Sequence, residues 1–356
     1  MPGLGLLVLP LALWGASLVA GQSYGAWIPI PLQVPSHHLP TGFRNLDPTF
    51  PDSFAYALSW MRVGHFFRRL GSTLRGEPAV APLPAALTDA DGLRNNGSEP
   101  TVTWIGHSTL LVQLDGINFL TDPHWNGRAG PFGGRVGVRR YTPPAFAFED
   151  LPRIDFVLIS HDHYDHLDEP TILRLARSFN PRFVVPLGLK AWLADRGITN
   201  AVELDWDASL TLHGLTIVCT PAQHFSGRTL VDQGRRLWAS WVVLGSKRFY
   251  FGGDSGYFRH FKEIGDAYGP FDLAALAIGS YIPRRITRPV HTSPEEALQA
   301  WLDLRGARFV GIHWGTFALA EEPYDEPPRR LAVEVERRGL DPDAIWLLKP
   351  GETRHW

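Results

Sequence analysis

Four potential metal ligands, His161, His163, Asp165 and His166, lie within six residues in Ser160-His161-Asp162-His163-Tyr164-Asp165-His166. Neutral imidazole and ionised carboxylate are zinc ligands, and they must converge to ~2.0–2.2 Å from the ion. A strand end running into a tight loop supplies that convergence by aiming alternate side chains inward. The apolar run Asp155–Ser160 just before the cluster reads as such a buried strand. His161 and His163 can face one metal while Asp165 and His166 face a neighbouring one. Four ligands cannot finish two sites, and three single candidates follow later strand-like runs. They are His224 after Leu215–Thr220, Asp254 after Arg248–Phe251, and His313 after Arg308–Ile312. Gly252 and Gly253 let backbone approach closely at Asp254, and open α/β sheets place functional groups at strand ends.

The 356 residues include 14 histidines and a single cysteine, Cys219. One cysteine excludes an internal disulfide framework and any cysteine-built zinc site. Cys219 lies in the apolar run Ile217-Val218-Cys219-Thr220 and reads as a small buried hydrophobe.

The elements that must position these ligands are legible from period and turn chemistry. Thr101–Ile105, Thr109–Leu114 and Ile117–Thr121 read as strands, the last two joined by Asp115-Gly116, a hairpin signal. Further hairpins are predicted at His213-Gly214 and Gly245-Ser246, and buried strands at Arg182–Val185 and Leu273–Gly279. Ser293-Pro294-Glu295-Glu296 opens a helix with a capping box and proline at its first position. Another helix is expected around Arg329–Arg338. Strands dominate early and alternate with helices later, which predicts two sheets between helices, an α/β four-layer arrangement.

A composition of 44% hydrophobic and 20% charged residues excludes gross disorder and a multi-span membrane protein. A net charge of -2, with no basic stretch interleaved with aromatics, argues against a nucleic-acid partner. The first charged side chain is Arg44, and Leu4–Ala20 is almost wholly apolar. Residues 1–21 therefore read as a signal peptide or retained anchor, with export or envelope anchoring expected, to the periplasm or cell envelope in a bacterial host. Residues 22–99 read as an arm, an amphipathic helix and a linker ahead of a catalytic domain at 100–356. Within them Ser53–Leu70 has apolar residues at helical spacing and Arg62, Arg68 and Arg69 in its second half. It suits packing on the domain or, alternatively, a membrane surface. Residues 76–99, rich in Pro, Ala, Gly and Asn, have a linker's composition.

The ligand pattern resembles that of the metallo-β-lactamase fold, an αββα sandwich whose members hold two metals through a His-x-His-x-Asp-His loop and later His, Asp and His residues. The resemblance implies two Zn2+ per chain. His161, His163 and His224 would hold one, Asp165, His166 and His313 the other, and Asp254 would bridge them. Asp122, in Phe119-Leu120-Thr121-Asp122-Pro123, matches the early strand-end aspartate. Its implied role is to fix a ligand histidine through that histidine's other nitrogen.

Thr103-Trp104-Ile105-Gly106-His107-Ser108-Thr109, His291-Thr292-Ser293-Pro294-Glu295-Glu296-Ala297 and Gly311-Ile312-His313-Trp314-Gly315-Thr316-Phe317 narrow the resemblance. Together with the arm segment His38-Leu39-Pro40-Thr41-Gly42-Phe43-Arg44-Asn45, they resemble the N-acylphosphatidylethanolamine-hydrolysing phospholipases D. This implies hydrolysis of an N-acyl phospholipid to phosphatidic acid and an N-acylethanolamine, with peripheral membrane contact. Two metals ~3.5–4 Å apart lower the pKa of a water and clamp phosphoryl oxygens, so no Ser or Cys nucleophile is needed. Asp165 or Asp254 would orient that water or take its proton. His291 would contact the phosphate or protonate the leaving group, and Tyr164 would donate to a phosphate oxygen or simply pack. His107 is expected near the site or in a structural role. A lactonase or soluble-phosphodiester hydrolase on the same metals is the rival enzyme reading. A non-catalytic envelope binding protein is the other alternative, and the intact ligand set argues against it. Oligomeric state is left open.

Overall fold

Strands β1 (Thr101–Gly106), β2 (Thr109–Leu114) and β3 (Ile117–Thr121) form an antiparallel meander. Asp115 and Gly116 make its second turn at φ of 54° and 77°, the positive pair that a two-residue hairpin requires. The computed structural model describes residues 35–47, 50 and 81–356. Strands β4 (Phe156–Leu158), β5 (Arg182–Pro186) and β6 (Ala201–Leu204) extend the meander in parallel. The C-terminal strand β14 (Thr353–His355) pairs antiparallel with β1 at the other edge, giving the order β6-β5-β4-β3-β2-β1-β14.

The second sheet follows chain order. Strands β7 (Ser209–Leu212), β8 (Leu215–Thr220), β9 (Ser240–Leu244) and β10 (Arg248–Phe251) are antiparallel. Strands β11 (Phe271–Ala277), β12 (Gly306–Ile312) and β13 (Ile345–Trp346) continue it in parallel. His213 and Gly214, at φ of 52° and 85°, turn the first hairpin as their sequence predicts.

Pro-, Ala- and Asn-rich residues 81–99 differ from their linker reading. Asp89 caps α1 (Ala90–Asn95), Leu93 is buried, and Ala86 N–H donates to the Pro350 carbonyl. The partners that order this stretch come from the far end of the chain, so its composition could not announce them. The arm residues His38–Leu39 and Gly42–Phe43 pair as a short hairpin, and the described residues from Ser36 to Trp356 form one compact unit.

Alternation along the first sheet fills two separate cores. Phe119, Phe156, Leu158 and Val184 share the central core with Ile217, Trp241 and Phe249 of the second sheet. Their neighbours Leu120, Val157, Ile159 and Val185 pack with Ile172 and Leu175 of α2 (Glu169–Ser178) and Leu189 and Leu193 of α3 (Leu189–Ala194). The second sheet is covered by α4 (His260–Tyr268), α5 (Pro294–Asp303) and α6 (Glu326–Arg338), through Phe261, Leu298, Trp301 and Leu331. Each fully buried side chain of this kind contributes about 1.5–3 kcal/mol, so both sheet faces stay closed and the layers read helix, sheet, sheet, helix. Ser293 caps α5 in a full capping box with Glu296 and Pro294 in the first turn.

The leader reading of residues 1–21 and the helix reading of Ser53–Leu70 lie outside the described residues. Among the described residues, no helix is long and apolar enough to cross a membrane.

Candidate metal centre

The sequence-predicted ligands sit past the carboxyl ends of strands that run in one direction within each sheet. His107 and Asp122 follow β1 and β3, and the cluster from His161 follows β4. His224, Asp254 and His313 follow β8, β10 and β12 across the central core. The strand ends are pinned to each other: Trp241 Nε1 donates to the Ile159 carbonyl at 2.9 Å, and Ala239 N–H donates to Ser160 O at 2.9 Å. His107, Asp122 and His313 adopt φ of 54°, 35° and 61°. Non-glycine residues held in this region cost about 1–3 kcal/mol each and cluster at functional sites. Gly253, also at positive φ, admits no side chain, because a Cβ would lie 2.6 Å from Ser160 Cβ.

Asp254 is the hub. Its Oδ2 lies 3.2 Å from Nε2 of both His166 and His313, 3.7 Å from His224 Nε2 and 3.9 Å from His161 Nε2. His163 Nδ1 lies 2.8 Å from His161 Nε2 and 3.2 Å from His224 Nε2. Asp165 Oδ2 is 3.4 Å from Nε2 of His166 and of His313. Two donor groups thus share Asp254: His161, His163 and His224 on one side, Asp165, His166 and His313 on the other.

These residues fit divalent cations. His166 Nε2, His313 Nε2 and Asp254 Oδ1 are buried and make no hydrogen bond, an arrangement native structures tolerate only for a reason such as a bound ion. Their supports present lone pairs to the centre. His166 Nδ1–H donates to Asp122 Oδ2 at 2.7 Å, and His224 Nδ1–H donates to Val290 O at 3.0 Å, which turns each Nε2 inward. His161 Nδ1 contacts Ser160 Oγ at 2.9 Å, and Ser160 Oγ donates to Asp122 Oδ2 at 2.5 Å.

Charge follows the same logic. Burial, reinforced by the surrounding imidazoles, pushes His161 well below the ordinary histidine range, so its ring is neutral. Burial does the same to His224. Burial also opposes charge on His313, but Asp254 and Asp165 outweigh it and lift that ring to about 9. Asp254 and Asp165 are themselves held well below the carboxylate range by His166 and its neighbours, against the pull of burial. A buried pair of ionised carboxylates demands positive charge, which divalent cations supply directly.

Other expected residues are divided by the structure. His291, just ahead of α5, is buried with Nδ1 3.8 Å from Asp254 Oδ2, and burial lowers it to about 4. Tyr164 donates its hydroxyl proton to Arg228 O at 2.9 Å and packs its ring under the Arg228 guanidinium at 4.0 Å. Of its two expected roles, donation to a phosphate oxygen and simple packing, this conformation provides the packing. Asp162, inside the cluster, turns the other way and accepts from Arg236 Nη1 and Gly227 N–H, both at 2.7 Å. His107 Nε2 donates to Asp165 Oδ2 at 3.1 Å; its place just past β1 was the available signal. Ser160 went unread, because nothing local marks a serine as the link between two histidines. Cys219 is buried, with Sγ 3.8 Å from the Leu204 carbonyl.

Residues 117–314 match the Beta-lactamase superfamily domain. A Caenorhabditis elegans protein named N-acyl-phosphatidylethanolamine-hydrolyzing phospholipase D 1 is 45% identical over 246 residues, 65% of this chain and 68% of that protein. A mitochondrial Saccharomyces cerevisiae protein named N-acyl-phosphatidylethanolamine-hydrolyzing phospholipase D is 33% identical over 73% of this chain and 57% of its own length. The structure of Igni18, a metallo hydrolase from Ignicoccus hospitalis, superposes with a TM-score of 0.57 at 25% identity, covering 73% of this chain and 99% of that one. With two sheets between helices and a histidine–carboxylate centre at their strand ends, the chain belongs to the β-lactamase superfamily as a metal-dependent hydrolase.

Proposed function

We propose that this hydrolase cleaves N-acylphosphatidylethanolamine at two zinc ions, releasing phosphatidic acid and an N-acylethanolamine. The observation that carries this reading is the gathering of two donor groups on Asp254 Oδ2. The name of the C. elegans relative supports the substrate. His161, His163 and His224 would hold one ion, Asp165, His166 and His313 the other, with Asp254 shared. When bound, such ions activate water and stabilise charge on phosphoryl oxygens.

The remaining work falls to the chain. Asp165 or Asp254, both ionised, would orient the water or take its proton, and His107 orients Asp165. His291, neutral because burial lowers it to about 4, serves as an N–H donor to a phosphoryl oxygen rather than as an imidazolium acid. Water oxygen joins phosphorus, the bond from phosphorus to the ethanolamine oxygen breaks, and that oxygen takes up the proton that the water gave up. Cys219 is buried, and burial raises its thiol well above the ordinary range, which suits a reaction with no thiol nucleophile.

A phospholipid must be reached at a membrane. The reading assigns that contact to Ser53–Leu70 and export or anchoring to Leu4–Ala20. Trp60→Ser with Phe66→Ser should lower activity on vesicles and spare a short soluble phosphodiester; equal loss on both would show that Ser53–Leu70 makes no membrane contact.

The deciding experiment couples metal analysis to a product assay on the purified chain. Two zinc ions per chain and equimolar phosphatidic acid and N-acylethanolamine are expected. A zinc-loaded chain that cleaves a lactone or bis-aryl phosphate but leaves the phospholipid intact would overturn the substrate.

A further inference from the structure

We infer that the N-terminal arm completes the metal centre, with Asn45 as the positioning residue of His224. The inference rests on the reading that His224 holds a metal. His224 lies beyond the point where β8 and β9 stop pairing, their last register pair being Thr220 with Ser240. Its backbone therefore has no ladder neighbour. Asn45 takes that place from 179 residues away: its Nδ2 donates to the His224 carbonyl at 2.7 Å, and its Oδ1 accepts the His224 N–H at 3.1 Å. One side-chain amide thus closes both backbone groups of one residue, as an adjacent strand would. Asn45 is buried, and its Oδ1 also accepts from Trp238 Nε1 at 3.2 Å. The His224 ring is fixed separately by Val290 O, so backbone and imidazole are held from two directions.

The arm is latched ahead of this contact as well. His37 and His38 each place Nε2 2.7 Å from a different oxygen of Asp205, just past β6. His37 also packs on the Trp206 ring at 4.4 Å. Phe43 N–H donates to Gly234 O at 2.8 Å. Gly42 must be glycine, since at φ 153° a Cβ would lie 2.3 Å from that same oxygen. All these arm residues lie outside the matched span 117–314, so the superfamily domain does not supply them.

The chemistry at position 45 is narrow. Asparagine offers a donor and an acceptor at one length. Aspartate keeps the shape but sets an acceptor against the His224 carbonyl, and alanine leaves both backbone groups unpaired.

The test is zinc affinity, measured on the metal-free full chain by competition with a chromophoric chelator, for wild type, Asn45→Ala, Asn45→Asp and His224→Ala. Both Asn45 variants should lose roughly 10- to 100-fold at one of the two zinc sites and little at the other. A merely structural residue would lower the melting temperature and leave both affinities of the folded protein unchanged; that outcome overturns the proposal. If Asn45→Ala does not fold, the isosteric Asn45→Asp decides on the same criterion. If His224→Ala keeps both sites at wild-type affinity, the metal reading of His224 fails and the inference with it. If His224→Ala loses a zinc while both Asn45 variants bind as wild type, only the positioning role fails.

Discussion

Asp122 accepts the Nδ1–H of His166 at 2.7 Å on the same oxygen, Oδ2, that accepts Ser160 Oγ at 2.5 Å, and Ser160 in turn contacts His161 Nδ1. One fully buried carboxylate therefore orients a histidine in each donor group. Asp122→Asn should weaken both zinc sites by roughly 10- to 100-fold, while Ser160→Ala should weaken chiefly the His161 side. Chelator competition resolves the two sites, and wild-type affinity at both in Asp122→Asn would remove this link.

Asp254 touches both groups, so Asp254→Ala should exceed the ~10–100-fold loss of a supporting residue. Zinc per chain should fall below two, and phosphodiester hydrolysis should fall with it. Full zinc content in the variant would show that the centre does not depend on its hub.

Metal removal should destabilise the fold, because ions bound among Asp165, Asp254, His166 and His313 stabilise only the folded state, which alone brings these groups together. A ligand present at 100 times its Kd stabilises the native state by about 2.7 kcal/mol. Dialysis against EDTA should lower the melting temperature, and added zinc should restore it. Identical melting before and after chelation contradicts a buried metal centre.

Asp162 tests whether a carboxylate within the ligand loop can be purely architectural. Its side chain is fully buried and pairs with Arg236, whose side chain is 20% exposed, at 2.7 Å. Removing one partner of such a pair costs about 3 kcal/mol. Asp162→Ala should show that loss in urea unfolding of zinc-loaded protein, with zinc content unchanged. Loss of zinc with intact stability would move Asp162 into the centre itself.

The arm latch carries a pH signature. Burial works against charge on Asp205, but hydrogen bonds from His37 and His38 outweigh it and hold the carboxyl below its ordinary value. A depressed carboxyl stabilises the fold above its unfolded pKa, and that contribution is lost as pH falls through the folded value. Asp205→Asn should therefore melt below wild type at neutral pH, and the gap should close as pH drops below the ordinary carboxylate range. A gap that persists unchanged under acid would contradict the charge-assisted latch.

Local signals determined a large part of this protein. Strand-like composition placed β1 to β3, Asp115-Gly116 and His213-Gly214 marked turns by their tolerance of positive φ, and Ser293 with Glu296 announced the start of α5. The residues past β4, β8, β10 and β12 were legible as ligand candidates because a strand end and its next few residues are encoded together. Tertiary structure alone decided partners. Asp162 and Asp165 are three residues apart in one loop, yet one turns to Arg236 and the other to His107, His166 and His313. Tyr164 is turned onto Arg228, residues 81–99 are ordered by the chain's far end, and Asn45 reaches His224 across 179 residues. Period, turn conformation and capping are set by neighbours within a few residues. Which buried polar group meets which is set only when two sheets close on one core and every donor must find its acceptor.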